Sequence, residues 1–201
     1  MATKRAYGEQ PLTLLDRAGV ALSVLAVRRS ADLRQKRVAD LGCGYEATMV
    51  RSVLHDVSEA VLVDVALAGD LKEHPRVRAI EGLLPEALSA LGDESLDVVL
   101  ALAVLEHLYE PQRTLEEIHR LLVPGGVAVI NVPSWRGKPV LELVAFRMGI
   151  SADSMNNHKM YYDPRDLWPM LVRAGFRPSA IRCRRHKFGC ATLAVVHKEA
   201  V

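Results

Sequence analysis

The run RVADL at residues 37–41 passes without a spacer into Gly42, Cys43 and Gly44. So short an apolar stretch, closed by a pair of glycines, reads as a buried strand that turns sharply into a helix. Without Cβ atoms the loop can bend left-handed and a ligand can touch its backbone. The N–H groups that follow face that ligand from the start of a helix. A junction of this kind restricts the chain to layered α/β architectures.

The rest of the chain repeats the theme. Runs of Val, Leu and Ile recur at 60–64, 76–81, 97–102 and 127–132 with little polar alternation. Parallel strands buried on both faces require that composition. Helical segments lie between them. In EPQRTLEEIHRLL, Pro111 suits the first helical position, Leu115, Ile118 and Leu122 share a face, and PGG at 124–126 is expected to stop the helix. DPRDLWPMLVRAGF offers Asp163 as N-cap, Pro164 behind it and Gly175 past the end, while Pro169 predicts a kink or an early break. Residues 176–184 and 187–197 then read as strands joined too tightly for a crossover, hence antiparallel. The expected fold class is α/β: a Rossmann-like, mostly parallel sheet with helices on both faces and a C-terminal antiparallel hairpin. With 201 residues and no internal repeat or long linker, residues 1–201 read as one domain.

Two segments stand outside this scheme. Residues 9–30 predict a helical extension whose Leu12, Leu15, Gly19, Leu22 and Ala26 share a face, either packed on the domain or forming a homodimer seam. Residues 134–162 are long for a connection and leave the carboxyl end of the fifth strand, where open α/β sheets bind ligands. They are expected to form a substrate lid.

Composition excludes several classes of partner. A net charge of +2 is too small to imply a polyanion. It is unevenly spread: Arg173, Arg177, Arg182, Arg184, Arg185, Lys187 and Lys198 occur between Leu167 and Lys198 without one acid. A solvated face accounts for such a patch more simply than nucleic acid does. Cys43, Cys183 and Cys190 form no CxxC pair and no metal spacing, so free thiols, no metal and a cytoplasmic location are expected. The N-terminal segment lacks the apolar core of a signal peptide, and the apolar stretch from Gly19 to Val27 is too short to span a bilayer.

The glycine loop admits two cofactor readings. Gly42, Gly44 and Ala47 satisfy GxGxx(G/A), and Asp64 follows about 20 residues on, as a dinucleotide fold requires. A nicotinamide-dependent oxidoreductase is therefore one reading. Asp40 argues for another, since a carboxylate beside the loop repels a pyrophosphate and attracts an ammonium group. Asp64 serves the ribose of any adenosine cofactor. The edge hairpin also replaces the sixth parallel strand of a full dinucleotide fold. An adenosine cofactor with an amino-acid end and no phosphate suits this set, and S-adenosylmethionine is such a molecule.

VADLGCG, VLVDV, LDVVLALAVLEHL and LLVPGG, in that order, resemble the successive motifs of class I S-adenosylmethionine-dependent methyltransferases. The resemblance covers residues 36–133 and extends through HKMYYDPRDLWPMLVRAGF at 158–176. It implies that Asp40, Gly42, Cys43 and Gly44 hold the methionine part, Asp64 the ribose hydroxyls, and Val65 the adenine face. Ala101, Leu102 and Ala103 would line the methionine side. Family members often carry an acid after the third strand, near the adenine amino group; Leu83 stands there, leaving Glu81, Gly82 or the backbone at Leu83 to replace it. Glu46 stands where the loop usually has its third glycine.

Methyl transfer needs alignment and exclusion of water, and a base only where the acceptor holds its proton tightly. Position alone supplies candidates. His107, in LEHL after the fourth strand, and His158, late in the expected lid, are the catalytic candidates; Glu106 is placed near the cleft like His107, with a helix-start carboxylate as the alternative reading. Asn131, Trp135, Tyr161 and Tyr162 are candidates for contact with the acceptor. No Asn/Asp-Pro-Pro-aromatic tetrapeptide follows the fourth strand, so the chain looks like the small-molecule branch. Arg136, Lys138, Arg147 and Lys159 around the lid suggest an anionic or polyhydroxylated acceptor, with oxygen favoured over carbon or nitrogen. The alternatives are the NAD(P)-dependent oxidoreductase and a cofactor-binding partner protein without transfer activity.

Overall fold

The computed structural model describes residues 14–148 and 158–200. Five strands run parallel: β1 (Arg37–Leu41), β2 (Glu59–Asp64), β3 (Val77–Glu81), β4 (Leu96–Leu102) and β5 (Leu122–Pro133). β7 (Ala191–His197) pairs antiparallel with β5, and β6 (Ile181–His186) pairs antiparallel with β7. The sheet order is β3-β2-β1-β4-β5-β7-β6. The order reverses at β1, which opens a crevice above its carboxyl end. This is the expected Rossmann-like architecture, hairpin included.

Strand parity sorts the core into two layers. Ala39, Leu41, Val61, Val63 and Ile130 face α4 (Pro111–Leu121) and α6 (Pro164–Arg173), which contribute Leu115, Ile118, Leu167 and Leu171. Val38, Ala60, Leu62 and Val98 face the other layer. There α1 (Leu14–Ser30), α2 (Thr48–Arg51) and α3 (Gly69–Lys72) bring Val27, Val50 and Leu71. Burial on both faces explains why the strands read as unbroken apolar runs.

Several expectations shift. α4 ends at Leu121 and β5 begins at Leu122, so PGG lies inside the strand; Gly125 takes φ +81° and its N–H donates to Lys198 O at 2.8 Å. α6 runs through Pro169 to Arg173, because Leu167 and Leu171 anchor it in the core on either side of the proline. The hairpin strands are shorter than expected, and Phe176 leaves the strand to pack edge-on against His119 in the core. The buried face of α1 is Ser23, Ala26 and Val27, and Leu22 is 38% exposed. Leu12 lies outside the described residues.

The segment after β5 is held against the hairpin. Ser134 Oγ donates to Gly189 O at 2.6 Å and accepts Gly137 N–H at 3.0 Å, and Ser134 N–H donates to Cys190 O at 3.0 Å. α5 (Lys138–Met148) follows; residues 149–157 of the expected lid lie outside the described residues. A Cβ on Gly137 would sit 2.3 Å from Cys190 O and 2.5 Å from Cys190 Cα. Gly137→Ala should therefore cost roughly 1–3 kcal/mol, as overpacking does. Urea unfolding checks this, and an unchanged midpoint would mean the seam yields freely.

Candidate functional site

β1 delivers the glycine loop to the crevice, and β2 holds it there. Gly42 N–H donates to Val63 O at 2.7 Å. Gly44 N–H donates to Asp64 Oδ2 at 2.7 Å, and Val65 N–H to Asp64 Oδ1 at 2.7 Å. Gly42 is required twice over: φ is +64°, and a Cβ there would lie 2.6 Å from Val104 Cγ2. The other left-handed residues of the loop are Gly44, at φ +76°, and Ala47, at φ +42°. Position 46 is not left-handed, so it does not demand glycine. Its glutamate pairs with Arg51 at 3.0 Å, and Arg51 also pairs with Asp70 at 2.6 Å, tying the loop to α3.

At the base of the loop, Asp40 and Asp64 form no ion pair among the described residues. Asp40 is buried, and burial first, then the charge of Asp64, pushes its pKa up to about 8. Burial also raises Asp64, opposed by the N–H bonds from Gly44 and Val65. The Cys43 thiol is driven far up by burial, then by Asp40 and Asp64, so it is no nucleophile. A ligand bearing a cation would stabilise both carboxylates, whereas a pyrophosphate would meet two acids.

The three residues offered for adenine behave differently. Glu81 accepts Leu67 N–H at 2.8 Å and Lys72 Nζ at 2.5 Å, so its carboxylate is spent on pinning the segment after β2. Gly82 N–H donates to Asp64 O at 2.9 Å, and Leu83 is 57% exposed. Across the crevice, Ala101 is buried at the end of β4, and Ala103 turns left-handed at φ +59° and donates its N–H to Asn131 O at 2.7 Å.

Beyond Ala103 a cluster of polar side chains gathers around the 3-10 turn Leu105–His107. All three of its carbonyls are taken by the limb returning from the expected lid. Tyr162 OH donates to Leu105 O at 3.5 Å, Lys159 N–H to Glu106 O at 2.7 Å, and Lys159 Nζ to His107 O at 2.5 Å. His107 and His158 meet edge to face with ring centres 4.8 Å apart, and Tyr161 lies 5.5 Å from His158 and 5.5 Å from Trp135. The structure thus brings together His107, His158, Trp135 and Tyr161. Tyr162 instead belongs to the core, its hydroxyl pKa pushed up to about 12 by burial, then by Glu106.

Three buried polar atoms here have no hydrogen-bond partner: Glu106 Oε2, His158 Nδ1 and Asn131 Oδ1. Burial raises Glu106 to about 8, and burial with His107 nearby lowers His158 to about 4. Glu106, with a helix-start carboxylate as its alternative reading from sequence, is in fact 1% exposed. Lys187 is the residue that sequence reading missed. It opens a turn in which Lys187, Phe188 and Gly189 are all left-handed, at φ +50°, +58° and +90°. Phe188 points fully outward, while Lys187 folds inward within reach of the charge of Glu106. Two of the lid cations have other tasks, since Lys138 pairs with Glu142 at 2.7 Å and Lys159 holds the turn. Glu106, His107 and His158 each offer a ligand atom within 4.8 Å of the others and are the described residues that could hold a divalent cation, although none was expected.

Residues 39–130 match the family described as a methyltransferase domain. A probable S-adenosylmethionine-dependent methyltransferase of Mycolicibacterium smegmatis is 28% identical over 162 residues, covering 80% of this chain and 59% of that one. A ubiquinone biosynthesis O-methyltransferase of Pseudomonas syringae pv. tomato is 32% identical over 170 residues, covering 78% and 71%. A crystal structure of a SAM-dependent methyltransferase from Archaeoglobus fulgidus superposes with a TM-score of 0.64 at 17% identity, covering 89% and 94%. The chain belongs to the class I S-adenosylmethionine-dependent methyltransferases. S-adenosylmethionine is the cofactor of that family, which removes the nicotinamide reading of the loop. The chain spans only 48–59% of the length of the first curated relatives it matches. Among the described residues no helix is long and apolar enough to cross a membrane.

The two raised carboxyl groups make stability depend on pH. Below about pH 4 the folded and unfolded chains both hold these protons. Between about 4 and 8 the unfolded chain releases them and the folded chain keeps them, so their contribution to the unfolding free energy falls as pH rises and levels off above about 8. His158, lowered to about 4, adds an opposing rise below about 6.5. Asp40→Asn and Glu106→Gln should each flatten part of that fall in urea melts of the ligand-free protein. A wild type equally stable across the window would contradict the burial of both acids.

Proposed function

We propose that this protein transfers a methyl group from S-adenosylmethionine to a small-molecule acceptor, with oxygen as the accepting atom. The observation that carries this is the set of buried acids and unpartnered polar atoms that follows the carboxyl ends of β1 and β4. Asp40 is buried beside the half-buried Asp64, and Glu106, His158 and Asn131 each keep a buried polar atom that has no partner among the described residues. Asp40 would face the ammonium end of the cofactor and Asp64 its ribose hydroxyls, with Gly42, Cys43 and Gly44 lining the methionine part and Val65 the adenine. Adenine recognition rests on backbone at Gly82 and Leu83, since Glu81 is committed to Lys72.

When bound, the cofactor supplies an electrophilic methyl group on a sulfonium. The protein's part is to orient the acceptor, exclude water and receive a proton. Glu106 is placed to take the proton of a hydroxyl acceptor: its free oxygen is buried, and its proton affinity is raised to neutral pH, where a general base works well. His158, lowered by burial, suits a neutral hydrogen-bonding role beside His107. Trp135 and Tyr161 form the aromatic wall, and the half-buried Lys187 supports an acceptor with an anionic or oxygen-rich group. The name of the Pseudomonas syringae relative supports oxygen as the accepting atom. Exposed Leu22 and Leu25 support a homodimer through α1, and three free thiols support a cytoplasmic location.

Calorimetry with S-adenosylhomocysteine tests the cofactor. Asp64→Ala should weaken binding by about 1–3 kcal/mol, the cost of removing one partner of a buried hydrogen bond. Binding should also release a proton near neutral pH as Asp40 ionises, seen as a heat that varies with the buffer. Tight NADH binding with none of S-adenosylhomocysteine would sink the reading. For transfer, Glu106→Gln should lower kcat on a phenolic acceptor by about 10²–10⁴-fold while cofactor affinity holds. Unchanged kcat would remove Glu106 as base.

A further inference from the structure

β6 ends the sheet on its side, and among the described residues no strand pairs with its outer edge. From Ile181 to Arg184 its side chains divide by parity, and Arg185 beyond them is exposed as well. Ile181 and Cys183 turn into the core beneath α6, while Arg182 and Arg184 stand exposed on the opposite face. Alongside that edge, α6 presents Pro164, Trp168 and Pro169, and an open groove of about 710 Å³ runs between helix and strand. Trp168 is 40% exposed over it. Among the described residues no carboxylate pairs with Arg182 or Arg184; Arg182 Nη1 donates to Ser179 O at 2.9 Å and to Ile181 O at 3.3 Å, and Arg177 pairs with Glu199. Arg165, at the groove mouth, reaches only its neighbour Asp166 at 4.0 Å.

We propose that this edge binds an extended acidic segment of a partner protein, which joins the seven-stranded sheet beside β6. An edge strand offers outward N–H and C=O groups at every second residue, which another strand can satisfy. Alternation then dictates the partner's sequence pattern. Side chains on one face fall opposite Arg182 and Arg184, two residues apart, and should be Asp or Glu. Those between them fall over Trp168 and Pro164 and should be apolar. A second copy of this chain does not suit the edge, because pairing two β6 strands would set arginine against arginine. A nucleic acid would meet the arginines but leave the backbone groups of the edge without partners. Arginines on an edge strand also guard against aggregation, yet a guard needs no aromatic groove beside it.

Fluorescence anisotropy with a short peptide alternating Glu and Val tests the proposal on the full chain. The peptide should bind, and replacing its Glu residues with Lys should weaken it roughly tenfold or more. N-methylating alternate amides on the pairing edge should abolish binding. The Arg182→Glu, Arg184→Glu double variant should reverse the preference toward the Lys peptide, an outcome that a merely unfolded variant cannot give. No binding of the Glu peptide, indifference to N-methylation, or tighter binding of an oligo-dT strand lost in the same variant would each overturn the proposal.

Discussion

The carboxylate of Asp64 accepts one N–H from Gly44 and one from Val65, each at 2.7 Å, and this clamp sets the shape of the whole cleft. It fixes the glycine loop on the end of β2. The loop so placed leaves room for Val104 only because residue 42 has no side chain. Val104 in turn begins the 3-10 turn whose three carbonyls bind Tyr162 and Lys159. The glycine loop and the turn that carries Glu106 are therefore one connected structure. Displacing the loop would move the turn that carries Glu106, and with it the wall formed by His158 and Tyr161.

The electrostatics of the two sides are complementary in what they lack. Burying a carboxyl group is costly unless it is paired or protonated. Asp40 and Glu106 both respond by holding their protons to near neutral pH, each mainly through burial. Their surroundings then differ. Asp40 sits with Asp64 and, among the described residues, pairs with no cation, so its ionised form would be stabilised by a positive ligand. Glu106 has Lys187 within range and still keeps an oxygen without a donor, so its ionised form awaits a hydrogen-bonding one. Departures from good pairing concentrated at one end of an otherwise well-packed sheet are characteristic of functional sites.

The parallel strands were legible in the sequence because burial on both faces leaves little but Val, Leu, Ile and Ala to choose from. The loop was legible because Gly42 and Gly44 answer real backbone demands. Local rules misled where tertiary contacts outweighed them. Gly125 looked like a helix stop, but the bond to Lys198 O makes it a bend in a strand. Pro169 looked like a break, but two core leucines carry the helix past it. Glu46 looked like a defect until Arg51 and Asp70 supplied its partners and Ala47 took the left-handed turn. Lys187 could not have been found by pattern. Its inward course depends on three successive left-handed residues, of which only Gly189 announces itself.

Counting cations near the lid was likewise a poor guide to the acceptor. A lysine contributes to recognition only if its ammonium is not already used. Lys138 is held by Glu142 and Lys159 by the carbonyl of His107, so both stabilise the lid segments they belong to. Lys187 belongs to the hairpin, far along the chain, and reaches the pocket because β7 runs antiparallel to β5 and returns the hairpin turn to the carboxyl end of the sheet. A sixth parallel strand in that place would have put its preceding loop at the opposite end. The antiparallel hairpin is thus more than a mark of the fold: it lets the C-terminal segment contribute a side chain to the cleft, and it leaves an arginine-bearing edge at the limit of the sheet.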